Sequence, residues 1–269
     1  MLWEELSVLE FEAGVKQSEG VCILPIGVIE KHGNHLPLGT DMYIVSAVAK
    51  RAAEMSPAVV FPYYFLGQIA EARHVIGTLA ASHRLIMDAL LEMCDEIYRN
   101  GFTKILILNG HGGNEAFLPF FAQQMPGLNR PYTVYTRFVN AISDEQLKEI
   151  QTRSGEFDMG NHAGFSETSL IMHLCPNLVH MQRHDATQVA SLDRLKTLRD
   201  LDVFTGFNWY AEYPHHVAGA ATLASPKHGK FIFDILCENT ANVLNAIKAD
   251  HESLALIEEF NRLTDGRHA

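Results

Sequence analysis

The chain has few cysteines, no long apolar run and a shortage of positive charge, and each lack removes a class of protein. Its four cysteines are dispersed without C-x-x-C spacing, so there is no sign of a disulfide framework and we predict buried free thiols. No apolar stretch approaches the roughly 18 residues that span a bilayer, so we expect no membrane partner. With 21 basic and 32 acidic residues, the formal charge of −11 argues against a nucleic-acid partner, because phosphate binding needs a basic surface. The acidic start at residues 1–5 lacks the positive charge of a secretion signal, and we therefore expect a cytoplasmic protein.

What the chain does contain is typical of a globular α/β protein. Hydrophobic residues make up 47% of the 269 residues, which is ample for a sizeable core. Apolar runs of strand length lie at 21–26, 58–62, 104–109 and 132–138. They alternate with stretches of helical periodicity, and this alternation predicts a mainly parallel sheet covered by helices on both faces. No repeat or linker interrupts the pattern, so we predict a single domain over residues 1–269.

A loop rich in metal-binding side chains follows the first predicted strand. Glu30, His32 and Asp41 lie between that strand and the helical pattern that starts near Asp41. Loops at the carboxyl ends of strands bind ligands in open α/β sheets. Oxygen and nitrogen donors without cysteine suit zinc, manganese or iron, so we interpret the loop as part of a metal site. The alternative is a polar turn, since an aspartate at a helix start is stabilising without any metal.

Two later loops carry further candidates. His111 stands between glycines after the strand 104–109, and His162 and Glu167 precede another helical stretch. Parallel strands would bring the first two loops to one edge of the sheet, and the third loop must fold back to join them. Two metal ions about 3.5–4 Å apart can share one carboxylate and activate a water between them, and Asp41 is the natural bridge. The alternative for His111 is a histidine in a turn without a metal. The alternative for Glu167 is a carboxylate that stabilises the start of its own helix.

Three motifs summarise these loops. They are Pro25-x-Gly27-x-x-Glu30-x-His32-Gly33-x-His35-Leu36-Pro37-Leu38-x-Thr40-Asp41, then Asn109-Gly110-His111-Gly112-Gly113-Asn114, then His162-Ala163-Gly164-x-x-Glu167-Thr168-Ser169. In order and approximate spacing, from about residue 20 to 175, they resemble the creatininase family of metal-dependent amidohydrolases. The resemblance implies a three-layer α/β/α fold, two divalent metal ions (Zn²⁺, Mn²⁺ or Fe²⁺) and a small-molecule substrate. It also implies a homo-oligomer, for which a hexamer is possible.

The resemblance also implies roles for individual residues. The implied metal ligands are Glu30, His32, Asp41, His111 and Glu167. Glu30, Asp41 and His111 would hold one ion, and His32 and Asp41 would help to hold the other. Glu167 would complete the coordination of the second ion. His162 would act as the proton shuttle beside the scissile bond. His35 is expected to support the site by a hydrogen bond to a ligand carboxylate.

One departure from the family pattern leaves the second ion's last ligand open. Creatininase itself has a glutamate two residues after the histidine that matches His111, and this chain has Gly113 there. Glu115 therefore competes with Glu167 for that role.

Two irregular segments are candidates for contact with a substrate. The long loop 63–81 is polar between glycines, and long loops in compact folds are commonly functional. The predicted substrate contacts are Gln68, Glu71, Arg73, His74 and Asn114. The aromatic, histidine-rich segment 203–229 is either a lid or a subunit contact, and its Trp209, His215 and His216 either line the pocket or pack in an interface.

Three functions remain open at the level of sequence. The first is an amidohydrolase that acts on a C–N bond of a small, cyclic, polar substrate. The second is a hydrolase that opens a carbon–carbon bond in the ring of an oxidised inositol. The third, from another class, is a non-catalytic scaffold that binds a metal or a sugar, with Gly113 marking lost chemistry.

Overall fold

A computed structural model describes residues 1–155 and 162–266, and its four strands form one all-parallel sheet in the order β2-β1-β3-β4. The strands are β1 (Val21–Ile26), β2 (Val59–Val60), β3 (Lys104–Asn109) and β4 (Thr133–Phe138). The predicted bounds of β1 and β3 are confirmed. The predicted strand 58–62 is too long, because Pro62 has no N–H for a ladder and only Val59 and Val60 pair with β1.

The helices of the described residues account for most of the remaining chain. They are α1 (Val8–Gln17), α2 (Thr40–Met55), α3 (His83–Arg99), α4 (Asn114–Gln123), α5 (Met125–Leu128), α6 (Asp144–Ser154), α7 (Phe165–Leu174), α8 (Lys196–Arg199), α9 (Asn208–Glu212), α10 (Pro226–Ala249) and α11 (Glu252–Asp265). Within residues 1–155 and 162–266, none of these helices is both long and apolar enough to cross a membrane.

The sheet lies between two helical layers, which confirms the three-layer α/β/α prediction. Alternate side chains of each strand point to opposite faces. Ile23 and Leu106 pack on the face covered by α2, α7 and α10. Leu24 and Ile107 pack on the other face, against α3 and α4. Both faces of β1 and β3 are fully buried, which is why these strands are apolar throughout instead of alternating.

Local sequence explains how the helices begin and which side they bury. In α3 the Ser82 hydroxyl accepts a hydrogen bond from Leu85 N at 3.3 Å, as an N-cap does. The buried positions of α3 are Ile86, Leu90, Cys94 and Ile97, which recur at helical spacing. Cys94, Cys22 and Cys237 are buried free thiols, as predicted, and Cys175 is free and half-buried.

Helix α10 positions the last of the ligand-bearing segments. It begins at Pro226, because Ser225 caps the backbone N–H of His228 and Pro226 suits a first turn. At Gly229 the helix contacts α7 so closely that a Cβ would lie 1.8 Å from Ser169 O. The glycine therefore lets α10 hold α7, and with it Glu167, over the carboxyl end of the sheet.

Candidate metal centre

The predicted ligands converge at the carboxyl ends of two adjacent strands. Glu30 and His32 lie in the loop after β1, and Asp41 lies in the first turn of α2. His111 follows β3, which pairs with β1 in parallel, so both loops leave the same edge of the sheet. Glu167 lies in the first turn of α7, and the chain folds back at this helix so that Glu167 joins them. A metal site built from all three loops requires this arrangement.

The first group of ligands is Glu30, Asp41 and His111. His111 Nδ1 lies 2.9 Å from Glu30 Oε1 and 3.2 Å from Asp41 Oδ2. Both oxygens are buried, and neither has a hydrogen-bond partner of acceptable geometry among the described residues. Buried polar atoms of this kind are costly unless something else satisfies them. Two carboxylate oxygens and an imidazole nitrogen that converge in this way fit a cation.

The second group is His32, Asp41 and Glu167. His32 Nε2 lies 3.0 Å from Asp41 Oδ1 and 3.7 Å from Glu167 Oε2. Asp41 thus presents one oxygen to each group, which is the geometry of a bridging carboxylate. In both groups the ligand atoms lie within 4.8 Å of one another. Glu115, the competing candidate, is exposed and belongs to neither group.

His162 lies between the two groups. Its Nδ1 is 4.0 Å from Glu30 Oε1, and its ring lies 4.2 Å from the ring of His32, centroid to centroid. Its Nε2 is 2.7 Å from Lys31 O. A carbonyl only accepts hydrogen bonds, so Nε2 carries the proton and Nδ1 is the free base. Glu30, His32 and His162 also form a third possible ligand group within 4.8 Å, so a ligand role for His162 stays open beside the shuttle.

The electrostatics of the centre reflect an excess of buried negative charge. Burial disfavours the His32 cation, but the charges of Asp41 and Glu167 outweigh it and raise its pKa to about 10. Burial opposes the charge on His111 as well, yet Glu30 and Asp41 raise its pKa well above the usual value. Burial raises the pKa of Glu167 to about 7. Protons on imidazoles thus balance the carboxylates in the metal-free protein, and metal ions would take over that role.

The His111 loop is held by an asparagine at the end of β3. Asn109 Oδ1 accepts hydrogen bonds from His111 N at 3.0 Å and Asn114 Nδ2 at 3.1 Å, and Asn109 Nδ2 donates to His111 O at 2.8 Å. At Gly113 a Cβ would lie 2.4 Å from His111 Nε2 and 2.9 Å from Glu71 Oε1. Position 113 therefore has no room for a side chain while His111 and Glu71 stay in place.

The five predicted substrate contacts lie in different surroundings. Glu71 lines the cavity, and Gln68 donates to its Oε2 at 2.9 Å. Asn114 is buried and accepts from Gln68 N at 2.8 Å, so it holds the loop in place. His74 contacts Pro214 O at 3.0 Å, and Arg73 is exposed. Neither His74 nor Arg73 lines the cavity, so of the five only Glu71 is placed to meet a ligand directly.

Two features of the site differ from what the motifs suggest. His35 Nε2 donates to Thr168 Oγ1 at 3.0 Å and not to a ligand carboxylate, and the Thr168 hydroxyl in turn donates to Ala163 O. His216 is 1% exposed and contacts Glu30, whereas His215 is exposed. The segment 203–229 has no periodicity that separates these two histidines, so only the fold distinguishes them.

A cavity of about 640 Å³ opens above the ligands. Its lining includes the apolar side chains of Phe138, Ile142 and Leu147 and the carboxylates of Glu71 and Glu115. No lysine or arginine is among the described residues that line it, so positive charge at this cavity comes from its histidines and from bound cations.

Buried carboxylate and imidazole groups beneath a cavity, at the carboxyl ends of parallel strands, form the kind of site that a metal-dependent enzyme uses. The sequence profile of the creatininase family, described as creatinine amidohydrolase, matches residues 4–244. The chain belongs to this family and is a hydrolytic enzyme.

Curated relatives agree with this assignment. Creatinine amidohydrolase of Pseudomonas putida is 27% identical over 254 residues, which cover 89% of this chain and 94% of that protein. The 3-dehydro-scyllo-inosose hydrolase of Thermotoga maritima is 25% identical over 260 residues, 85% of this chain and 77% of that protein. The mycofactocin precursor peptide peptidase of Mycobacterium ulcerans is 28% identical over 221 residues, 78% of this chain and 79% of that protein.

Solved structures share the fold. A crystal structure of creatinine amidohydrolase superposes with a TM-score of 0.75 at 21% identity and covers 93% of this chain and 98% of that one. A structure described as a manganese creatininase gives a TM-score of 0.74 at 21% identity, with 93% and 99% covered. At this identity the likeness establishes the fold alone.

Proposed function

We propose that the protein is a hydrolase with two divalent metal ions that acts on a carbonyl of a small, polar, cyclic substrate. The observation that carries the proposal is the bridging position of Asp41, whose two oxygens face the two ligand groups 3.0 and 3.2 Å from His32 and His111. Divalent cations at such a site polarise a carbonyl and lower the pKa of water enough to make it a nucleophile near neutral pH.

The chain's own groups would then orient the reaction and move the proton. His162 Nδ1 is unprotonated because Nε2–H is held by Lys31 O. Burial lowers the pKa of His162 to about 3, so the ring is neutral, and a proton that Nδ1 takes from the attacking water would be given up readily. Passing that proton to a leaving nitrogen is general acid–base catalysis. Glu167 is fixed by the N–H of Ala163 at 2.6 Å and supplies the second group's carboxylate.

The substrate class follows from the cavity walls. Glu71 and Glu115 line the cavity, and the described part of the lining has no lysine or arginine, which favours a neutral or cationic molecule rich in hydrogen-bond donors. We favour cleavage of an amide C–N bond, which is the reaction named for the Pseudomonas putida relative. Carbon–carbon ring opening of an oxidised inositol is the alternative, and the Thermotoga maritima relative supports it.

The test starts from purified protein with its metal content measured. We expect two divalent ions per chain, activity lost with chelator and regained with Mn²⁺ or Zn²⁺. Cyclic amides and oxidised inositols are then screened by mass spectrometry in ¹⁸O-water, since hydrolysis of either bond places one solvent oxygen in the product. Only amide cleavage also frees a nitrogen base, which an amine reagent detects when that base is an amine. Absence of bound metal, with thermal stability unchanged by chelator, would refute the proposed two-metal site.

A homo-oligomer and a cytoplasmic location remain predictions from the resemblance and composition, and the single domain over 1–269 from the sequence pattern. Size-exclusion chromatography with light scattering measures the oligomer directly, and a monomer would contradict the prediction.

A further inference from the structure

We propose that His216 is a positioning residue for Glu30 and that Trp209 fixes the tautomer in which it acts. The proposal depends on the function proposed above, because Glu30 is one of the expected metal ligands. Neither His216 nor Trp209 lies in the three ligand motifs, and Trp209 stands 40 residues after Ser169, where the third motif ends.

The hydrogen bonds define a relay of three side chains. Trp209 Nε1 lies 2.9 Å from His216 Nδ1, and His216 Nε2 lies 2.5 Å from Glu30 Oε2. An indole N–H can only donate, so His216 Nδ1 must be the acceptor and carries no proton. Nε2 therefore carries the hydrogen of the neutral ring and donates it to Glu30.

This arrangement decides which oxygen of Glu30 is free. Oε2 is engaged by His216, whereas Oε1 has no hydrogen-bond partner among the described residues and faces His111 Nδ1 at 2.9 Å. With Oε2 held, the carboxylate cannot turn its other oxygen away from the ligand group. Partners of this kind orient metal ligands and typically change metal affinity by about 10–100-fold when removed.

The backbone around His216 holds the ring in place. His216 has φ of +57°, a left-handed conformation that is uncommon for residues other than glycine, although asparagine, aspartate and histidine adopt it more often than the rest. Its N–H donates to Tyr213 O at 3.0 Å, and its carbonyl accepts from Gly33 N at 3.1 Å. Gly33 lies in the ligand loop itself, so the strained residue is fixed to the loop that it supports by backbone as well as by side chain.

The first test compares two amide variants that differ by one methylene. In His216→Gln the side-chain nitrogen reaches about as far as Nε2 and can still donate to Glu30. In His216→Asn the side chain tolerates the left-handed backbone but is too short to reach. Zn²⁺ affinity is measured on metal-free protein by competition with a chromophoric chelator, without substrate. His215→Asn is the matched control, because the same change is made one residue earlier on an exposed side chain.

We expect His216→Asn to weaken one of two Zn²⁺ sites by about 10–100-fold and the glutamine variant to stay within about threefold of wild type. His215→Asn should match wild type. Equal affinity in the Asn and Gln variants, whether both retained or both lost, would overturn the positioning role. Thermal unfolding of the metal-free proteins distinguishes the positioning role from a purely structural one. A purely structural role would lower the melting temperature of both variants and leave their Zn²⁺ affinities equal.

The tautomer has its own measurement. The chain has two tryptophans, so a Trp3→Phe variant leaves a single indole N–H signal for Trp209 in a ¹⁵N-resolved spectrum. We expect this N–H to exchange slowly with solvent and to change its shift in His216→Asn. Exchange as fast as that of an exposed indole would refute the fixed tautomer. Wild-type protein that binds no Zn²⁺ in the same assay would instead refute the proposed function, so the two failures are distinguishable.

Discussion

Changing Asp41 to asparagine tests the bridge most directly. The amide keeps the shape of the carboxylate but loses its charge and one of its two acceptor oxygens. Asp41 faces His32 with Oδ1 and His111 with Oδ2, so one of the two groups must lose its shared oxygen. We therefore expect Asp41→Asn to bind fewer than two ions, and to bind the remaining ion more weakly.

The expected magnitude can be read as a shift in melting temperature. An ion present at about a hundred times its Kd stabilises the folded state by about 2.7 kcal/mol. For a chain of this size, about 2–4 °C per kcal/mol gives a rise of about 5–11 °C for each ion bound. Differential scanning calorimetry with and without Zn²⁺ should show this rise in wild type and less than half of it in Asp41→Asn.

Glu115→Gln is the matched control for this prediction. The substitution is again carboxylate to amide in the same cavity, but Glu115 is exposed and lies outside the ligand groups. It should keep the full Zn²⁺-dependent rise. A wild-type rise in Asp41→Asn would refute the bridging assignment, and loss of the rise in Glu115→Gln would show that ions bind elsewhere in the cavity.

Four further predictions concern the pH dependence of metal binding, the ligand role of Glu167, the steric limit at Gly113 and the stability of the fold. The charge of Asp41 outweighs the effect of burial and raises the pKa of His32 to about 10, so below that pH an ion must displace a proton from His32. The affinity for Zn²⁺ should therefore increase as the pH rises from about 6 to 8. An affinity that does not change with pH in chelator competition would contradict this. Glu167→Gln should reduce the metal content measured by atomic emission from two ions per chain to one, and two retained ions would argue against its ligand role. Gly113→Ala should weaken Zn²⁺ binding at least tenfold because its Cβ would displace His111, whereas Gly112→Ala, where a Cβ would contact nothing, should bind as wild type does; equal binding would disprove the steric argument. Asp250→Ala should lower the free energy of unfolding by about 1 kcal/mol at pH 7, because the Asp250 carboxylate accepts hydrogen bonds from Ser253 at the start of α11. These bonds lower the pKa of Asp250 to about 2, so their contribution to stability is present above about pH 4 and is lost as the pH falls through 2. Urea unfolding of both proteins at pH 7 and at pH 2 checks this.

The sequence predicted those parts of the fold that depend on local patterns. The apolar runs of β1 and β3 gave correct bounds because buried parallel strands need no alternation. The start of α10 is harder to predict, because no apolar periodicity marks its first turn and only the Ser225 cap and Pro226 indicate it. The ligand loops were predicted from donor types, whereas the choice of Glu167 over Glu115 required knowing that α7 folds back over the sheet.

Contacts between distant segments lay beyond the reach of sequence reasoning. Glu30 and His216 are 186 residues apart, and no spacing rule connects them. His35 lies in the first motif yet contacts Thr168, 133 residues away. The packing of the helices decides which of two adjacent histidines is buried and which group a histidine in a motif forms a hydrogen bond with. The neighbouring sequence decides neither.

The joining of such remote segments has a consequence for how the protein is made. During synthesis, the first ligand loop leaves the ribosome long before α7 and the His216 turn exist, so the nascent chain cannot present a finished centre to an ion. Closing loops this long costs chain entropy before any contact is gained. Two ions that share Asp41 would together cross-link the loop after β1 to the His111 loop and to α7, and would disfavour the partly unfolded states that lack α7. Growth in metal-depleted medium should therefore increase proteolysis of the C-terminal half more than that of the β1–β3 core.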